Sequence, residues 1–170
     1  MEEFIWLFPI IFIFHDMEEI IGLGPWMAKN NIKLYKNFST EGFALAVFEE
    51  LIVCIILCIL AFNSMFFKSL WLGAFIGCAF HFIVHFGQAI VLKKYIPALI
   101  TSIICLPISI YIIWQCFAQI TITTQLVISM VIGVLIVVIN LILAQRLIGR
   151  QIILVISAGI YFFKTIAWPK

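Results

Sequence analysis

Long apolar runs dominate the chain, and short polar segments separate them. A helix needs about 20 apolar residues to cross the hydrocarbon core of a membrane. Six runs approach this length, and each predicts a transmembrane helix: Phe4–Met27, Gly42–Phe62, Leu70–Leu92, Ile96–Phe117, Leu126–Gln145 and Gln151–Trp168. The pattern therefore predicts an all-α fold, a polytopic helix bundle that forms a single integral membrane domain over residues 1–170.

The sixth run differs from the others because Lys164 interrupts it. Its continuous apolar stretch, Ile152–Phe163, is short for a crossing. A lysine near the end of a span can extend its ammonium group toward the headgroups. We therefore predict six spans, with five spans and an interfacial helix as the alternative.

Composition supports a lipid environment. The chain is 65% hydrophobic and 11% charged, whereas soluble domains contain about 45–50% apolar residues. Its ten basic residues are scattered and form no stripe, which argues against a nucleic-acid surface. The expected partner is the lipid bilayer, together with a hydrophobic or lipid-like substrate.

Basic residues also predict the orientation. Connections after the first, third and fifth predicted spans hold seven of the ten basic residues, and the other side holds three. Because basic loops stay in the cytoplasm, we expect the protein to lie in the bacterial cell membrane with its N-terminus outside. The seven residues are Lys29, Lys33, Lys36, Lys93, Lys94, Arg146 and Arg150.

Carboxylates form the most unusual feature of the sequence. All eight lie in the first fifty residues, and five of them fall inside predicted spans: Asp16, Glu18, Glu19, Glu49 and Glu50. An ionised carboxylate near the centre of a span costs about 2.5–3.5 kcal/mol. The first three predicted spans contain no lysine or arginine. Protons, histidines or a bound cation must therefore neutralise these groups.

All three histidines lie in the same part of the chain. His15 shares a helix face with Glu18 and Glu19, which follow it by three and four residues. His81 and His85 stand one turn apart on the third predicted helix. Imidazoles and carboxylates on adjacent helices are the donors of a metal site within a bundle.

Depth in the membrane supports this grouping. At 1.5 Å per residue, Glu19 lies about 15 Å before Lys29, and His85 lies about 12 Å before Lys93. Both groups therefore reach a similar layer, in the cytoplasmic half of the bilayer. The predicted metal ligands are His15, Glu18, Glu19, Glu49, Glu50, His81 and His85.

Three glutamates are also candidates for proton transfer: Glu18, Glu49 and Glu50. Glu49 and Glu50 are adjacent on one helix, so they cannot point in the same direction, and the sequence does not choose between them. The donor set suits zinc, iron or manganese about equally, and it permits one or two divalent ions.

The segment His15-Asp16-Met17-Glu18-Glu19 matches an H-x-x-E-E signature and resembles the HXXEE family of membrane proteins. The segments around Glu49-Glu50 and His81–His85 look like further polar motifs of that family, and the resemblance covers about the first 95 residues. It implies a membrane protein of no established activity, suspected to be an enzyme, with its site in these segments.

Two further patterns are similar to known metalloproteases. His81-x-x-x-His85 has the ligand spacing of a zincin helix, but Phe82 stands where the general-base glutamate belongs. The Glu49-Glu50 pair resembles that of glutamate-type prenyl-protein endopeptidases, but Cys54 stands where that family has an arginine. A zincin-type base would therefore have to come from another helix.

These observations lead to one main hypothesis and two alternatives. The main hypothesis is a membrane-embedded metal-dependent enzyme, a hydrolase or an oxidoreductase, that acts on a lipid or lipid-like substrate. The first alternative is a small proton- or cation-coupled membrane carrier, in which the same residues titrate during transport. The second is a non-catalytic membrane partner protein, whose polar centre only fixes helix packing. The absence of an inverted repeat favours the enzyme over the carrier.

Overall fold

The computed structural model describes residues 1–30, 39–119 and 123–143 of the chain. These residues form a short 3-10 helix, Glu2–Phe4, and five α-helices: α1 (Leu7–Lys29), α2 (Thr40–Ala61), α3 (Met65–Leu92), α4 (Leu99–Ala118) and α5 (Thr124–Leu143). The all-α prediction is confirmed for this part of the chain, in which no strand occurs. The sixth predicted span, Gln151–Trp168, lies outside the described residues.

Three of the described helices, α2, α3 and α4, are long and apolar enough to cross a membrane. Helix α5 contains a shorter apolar stretch, Leu126–Ile136. Helix α1 has 23 residues, but Asp16, Glu18 and Glu19 interrupt its apolar character. Length and composition thus agree with an integral membrane protein.

Two helix starts differ from their predicted positions for local reasons. Helix α3 begins before Leu70 because Ser64 caps it, accepting a hydrogen bond from the backbone N–H of Phe67. Lys68 lies in its first turns and reaches Glu2 at 2.5 Å, so its charge does not end the helix. Helix α4 begins after the predicted Ile96 because Ala98 is left-handed at φ 65°.

Polar contacts at the two ends of the bundle show how the helices alternate. At one end, Glu2 pairs with Lys68 at the start of α3. At the other end, the indole N–H of Trp26 in α1 donates to the carbonyl of Tyr95 at 2.6 Å, and Tyr95 follows α3. Lys94 donates to the side-chain oxygen of Asn30 at 2.9 Å at this same end. Helices α1 and α3 therefore run in the same direction, as predicted for alternate spans.

Aromatic rings fill the contact between α1 and α3. Trp71 and Phe75 are stacked with ring centroids 5.4 Å apart and planes within 7°. Phe8 meets Phe75 edge-on, also at 5.4 Å. All three side chains are fully buried. This packing lies about two to three turns before His15 and His81 and holds their helices together.

Glycines bring the backbones of α3 and α5 into direct contact. A Cβ atom added to Gly73 would lie 2.1 Å from the carbonyl oxygen of Met130, and one added to Gly133 would lie 2.2 Å from that of Leu70. Small residues are what close helix crossings in lipid require. The crossing places α5 beside the part of α3 that precedes the histidines.

Candidate metal centre

One face of α1 is polar although it lies inside the bundle. The buried positions of the helix continue from Phe8 and Phe12 to His15 and Asp16. His15 is 1% exposed and Asp16 is 4% exposed, and Glu19 follows one turn later with 12% of its side chain exposed. Since positions three and four apart share a helix face, this arc aims its polar groups at α2 and α3 rather than at lipid.

The three histidines converge between α1 and α3. Their ring centroids are 4.6 Å apart for His81 and His85, 4.9 Å for His15 and His85, and 5.2 Å for His15 and His81. One nitrogen from each ring lies within 4.8 Å of the other two. Two nitrogens bound to one tetrahedral zinc ion are about 3.4 Å apart. Small side-chain movements would therefore bring all three onto one ion.

Two carboxylates of α1 join this group. Asp16, Glu19 and His81 also offer ligand atoms within 4.8 Å of one another. Glu19 lies 3.7 Å from Nε2 of His85, and Asp16 lies 4.0 Å from Nε2 of His15. The two groups share His81, so five side chains form one cluster of possible ligands. Imidazole and carboxylate donors together suit zinc, iron and manganese.

A cavity of about 30 Å³ adjoins the centre. His15, Asp16, His81 and Glu50 contribute its polar wall, and the remaining lining side chains are apolar or cysteines: Phe8, Phe12, Val53, Cys54, Leu57, Ala74, Cys78 and Ile136. A cavity needs about 10–15 Å³ to hold one water molecule. This space therefore fits an ion's water ligand but not the whole of a lipid.

The cavity distinguishes the adjacent glutamates of α2. Glu50 lines it and is only 7% exposed. Glu49 is half-buried and is not among the lining residues. The sequence did not decide which of these two glutamates faces the site. In the structure, Glu50 is the one that faces the cavity.

Glu18 has a different environment from Glu19. Its carboxylate accepts hydrogen bonds from the backbone N–H groups of Thr101 at 2.8 Å and Ile100 at 3.4 Å, and from the hydroxyl of Tyr95. The two N–H groups belong to the N-terminus of α4, where Ala98 provides no side-chain cap. A carboxylate is stabilising at a helix N-terminus because it meets unpaired N–H groups and the positive end of the helix dipole. Glu18 therefore caps α4 and joins α1 to it.

Tyr95 lies at the membrane edge, in the connection between α3 and α4. Partial burial and its hydrogen bond to Glu18 raise the pKa of Tyr95 to about 12. The connection is also held by Pro97, since an added Cβ at Gly22 would lie 3.1 Å from the proline ring. This connection thus packs firmly on α1, beside the centre.

Two ring nitrogens of the centre are buried without a partner. Nε2 of His15 and Nδ1 of His85 have no hydrogen-bond partner within the described part of the chain. An unsatisfied buried polar atom costs about 1–3 kcal/mol. Nε2 of His15 lies 4.0 Å from Oδ1 of Asp16, and an unprotonated nitrogen at this position could bind a metal ion.

The structure brings together four of the seven predicted ligands: His15, Glu19, His81 and His85. Glu50 lines the adjoining cavity, while Glu18 caps α4 and Glu49 does not line that cavity. Asp16 is not among the predicted ligands, because on a helix it points about 100° away from His15. Its position three residues before Glu19 was the available signal.

Thr101 is the other residue that sequence reasoning missed. Its hydroxyl lies 3.2 Å from Nδ1 of His15, and its backbone N–H binds Glu18. Threonines are common in apolar helices, so nothing in the sequence marked this one.

Comparison with known proteins gives one match. A family model described as a protein of unknown function with an HXXEE motif matches residues 6–112, more than half of the chain. The match contains every residue of the centre and of its cavity except Ile136. No curated protein and no solved structure matches the chain.

Proposed function

We propose that this chain, which belongs to the family of proteins of unknown function with an HXXEE motif, is a membrane-embedded metal-dependent enzyme. Its substrate would be a lipid or a lipid-like molecule. One observation carries the proposal: three imidazoles and two carboxylates converge, largely buried, between helices that are otherwise apolar. Buried carboxylates without basic neighbours are costly, and a divalent cation would offset that cost.

The ion would bind His15, His81 and His85, and the carboxylates of Asp16 and Glu19 would complete its coordination. Because the two donor groups share His81, a second ion on the carboxylate side is compatible with the same residues. Zinc, iron and manganese all accept nitrogen and oxygen donors of this kind. Glu18 then acts as a structural carboxylate of the motif, since its oxygens are engaged by α4.

Hydrolysis is the chemistry that the arrangement supports most directly. A bound divalent ion lowers the pKa of its water ligand toward neutrality. Glu50 faces the cavity from α2 and is placed to accept the water proton. As the water oxygen bonds to an ester carbonyl carbon of the substrate, the bond from that carbon to the leaving oxygen would break, and Glu50 would pass the proton to this oxygen, which gives an acid and an alcohol. An oxidoreductase that activates oxygen at iron or manganese is the second class that the donors support.

The cavity indicates where the substrate comes from. Its apolar wall includes side chains such as Phe12, Leu57 and Ile136. Ile136 is 37% exposed, so this wall adjoins the outer surface of the bundle. The cavity holds little more than water, which means that only the reactive group of a substrate enters while its hydrocarbon chain stays in the bilayer. This supports a lipid rather than a water-soluble substrate.

The orientation also belongs to this proposal. Lys29 and Lys94 lie at the end of the bundle opposite Glu2. Because basic residues mark the cytoplasmic side, the N-terminus lies outside the bacterial cell membrane, and the centre lies nearer the cytoplasm. Cysteines introduced at Glu3 and Lys94 test this in intact cells. Only Glu3→Cys should react with an impermeant maleimide; labelling of Lys94→Cys alone would reverse the orientation.

The enzymatic claim is tested by lipid turnover. Purified protein in vesicles of bacterial lipid extract, in water enriched in ¹⁸O, should yield a lipid product that carries the label, detected by mass spectrometry. The product should be missing with His81→Ala and present with Gln88→Ala, which changes an exposed residue of the same helix. Unchanged lipids, together with proton or metal flux into the vesicles, would instead support the carrier.

A further inference from the structure

We infer that Thr101 of α4 is a positioning residue that fixes His15 in one tautomer, with the proton on Nδ1 and the lone pair of Nε2 directed into the metal centre. The inference deepens the proposed function, and its consequence for metal affinity rests on it. The tautomer itself is a property of the protein without metal, so it can be tested separately.

Counting hydrogen-bond donors gives the direction of the bond between Thr101 and His15. The Thr101 hydroxyl lies 3.2 Å from Nδ1 of His15, and it also donates to the carbonyl oxygen of Ala98 at 3.2 Å. A hydroxyl has a single proton but two lone pairs. While that proton is given to Ala98, the hydroxyl can only accept from His15, so Nδ1 must carry the proton. Both hydrogen bonds are then formed.

The opposite tautomer forms fewer hydrogen bonds. If Thr101 donated to Nδ1, its bond to Ala98 would be lost and the proton of His15 would sit on Nε2. That N–H would be buried without an acceptor, because Asp16 at 4.0 Å is beyond hydrogen-bonding distance and no other described group reaches Nε2. The Nδ1–H tautomer is therefore favoured, and it leaves Nε2 as an unprotonated metal ligand.

The motif itself holds Thr101 in place. Glu18 accepts from the backbone N–H of Thr101 at 2.8 Å, while His15, one turn earlier on α1, contacts its side chain. The histidine and the first glutamate of the motif thus both contact Thr101 of α4. The left-handed conformation of Ala98 turns the chain into α4 just before this contact. The spacing H-x-x-E is what places both groups on one face of α1.

Metal sites commonly use such an outer contact. A histidine that binds metal through one nitrogen usually donates its other N–H to an oxygen, which fixes the ring and its tautomer. Loss of such a partner weakens metal binding by about 10–100-fold. We expect Thr101→Val, which removes the hydroxyl at nearly constant volume, to weaken binding within this range, and Thr101→Ser to restore it.

Ser102→Ala provides the matched control. Ser102 is the next residue of α4, is fully buried, and has a hydroxyl with no hydrogen-bond partner in the described structure. Ser102→Ala therefore removes a buried hydroxyl from the same helix turn, and this hydroxyl makes no hydrogen bond to His15. Metal affinity should change less than about twofold, well below the 10–100-fold loss of an outer-shell partner.

The experiment uses metal-free full-length protein in detergent micelles, labelled with ¹⁵N-histidine. Long-range ¹H–¹⁵N spectra identify the protonated nitrogen, and the three histidines can be assigned by single substitutions. His15 should be the Nδ1–H tautomer in the wild type and in Thr101→Ser, and should shift toward Nε2–H in Thr101→Val. An Nε2–H tautomer of His15 in the wild type overturns the inference, and this result does not depend on whether the Thr101 variants fold.

Titration with Zn²⁺ and Mn²⁺ then separates the two proposals. Equal affinity of the wild type and a folded Thr101→Val variant would refute the positioning role while leaving the metal site intact. No binding to the wild type, with the Nδ1–H tautomer observed, would refute the metal site while supporting the role of Thr101 in setting the tautomer.

Discussion

Nε2 of His81 and Nε2 of His85 lie 3.0 Å apart, one helix turn from each other on α3. Two nitrogen lone pairs repel at this distance. One Nε2 must therefore carry a proton that it donates to the other, or both must bind a cation. Nε2 of His85 is also 3.7 Å from Glu19. The Glu19 carboxylate favours a cation at this position, and the predictions about bound metal below depend on this contact.

The two glutamates of α2 should differ in function. Glu50 lines the cavity and Glu49 does not, so Glu50→Gln should abolish lipid turnover while most of the bound metal is retained. Loss of a general base typically lowers the rate by about 10²–10⁴-fold. Glu49→Gln, which makes the same chemical change one residue away, should keep turnover within about threefold, far less than the loss of a base. Equal effects of the two variants on product formation, followed by mass spectrometry, would contradict the assignment.

The two glutamates of the motif, Glu18 and Glu19, should differ in their effects on stability and on metal content. Glu18→Ala removes the cap of α4 and should lower stability by about 1–2 kcal/mol, while metal stoichiometry is maintained. Glu19→Ala should reduce bound metal with a smaller loss of stability, since Glu19 belongs to the centre. Thermal unfolding in detergent, with metal analysis of the same samples, separates them. Loss of metal from Glu18→Ala alone would make Glu18 the ligand and remove the capping role.

Tyr95 should titrate abnormally. With a folded-state pKa of about 12 against an ordinary value of 10.0, its neutral form stabilises the protein at pH values below 10, and this contribution is lost as pH rises toward 12. The tyrosinate absorbance of the wild type minus that of Tyr95→Phe should show the raised midpoint. Glu18→Gln should lower the midpoint, because it removes a negative charge beside the phenol. A Tyr95 midpoint near 10 would show that the hydrogen bond to Glu18 does not form.

The crossing of α3 and α5 offers a test of the fold with a control on the same helix. Gly73→Ala places a Cβ atom 2.1 Å from a backbone oxygen of Met130, so the helices must separate. We expect a loss of about 1–3 kcal/mol, typical of overpacking. At Gly87 an added Cβ meets no atom within 4 Å, so Gly87→Ala should be neutral or stabilising. Similar unfolding temperatures for the two variants would argue against the crossing.

Much of the helical architecture follows from the sequence, because apolar runs in a membrane protein must be helical. The depth of Glu19 and His85 likewise predicts that they meet, since it depends only on the rise per residue. The roles of Glu18 and Thr101 do not follow, because they depend on how α4 is rotated against α1. In nearly uniform apolar helices, hydrophobicity does not distinguish the protein-facing side from the lipid-facing side.

Asp16 illustrates the same limit. Its side chain points away from the His15–Glu18 face of α1, yet it is buried because α2 and α3 pack on that side. A helical wheel of α1 alone cannot show that the polar arc is wide enough to contact two neighbouring helices. The motif is enough to identify α1 as the helix that carries the site. Which of its side chains contact the histidines of α3 depends on how the helices pack.

Metal content is the most direct test of the central claim. Protein purified from membranes without added metal, analysed by inductively coupled plasma mass spectrometry, should contain zinc, iron or manganese in stoichiometric amount. The metal should be lost in His81→Ala, whose imidazole is shared by both donor groups, and kept in the surface variant Gln88→Ala. Wild-type protein that is folded, metal-free and unable to take up these ions, or His81→Ala that retains a full complement, would contradict the account.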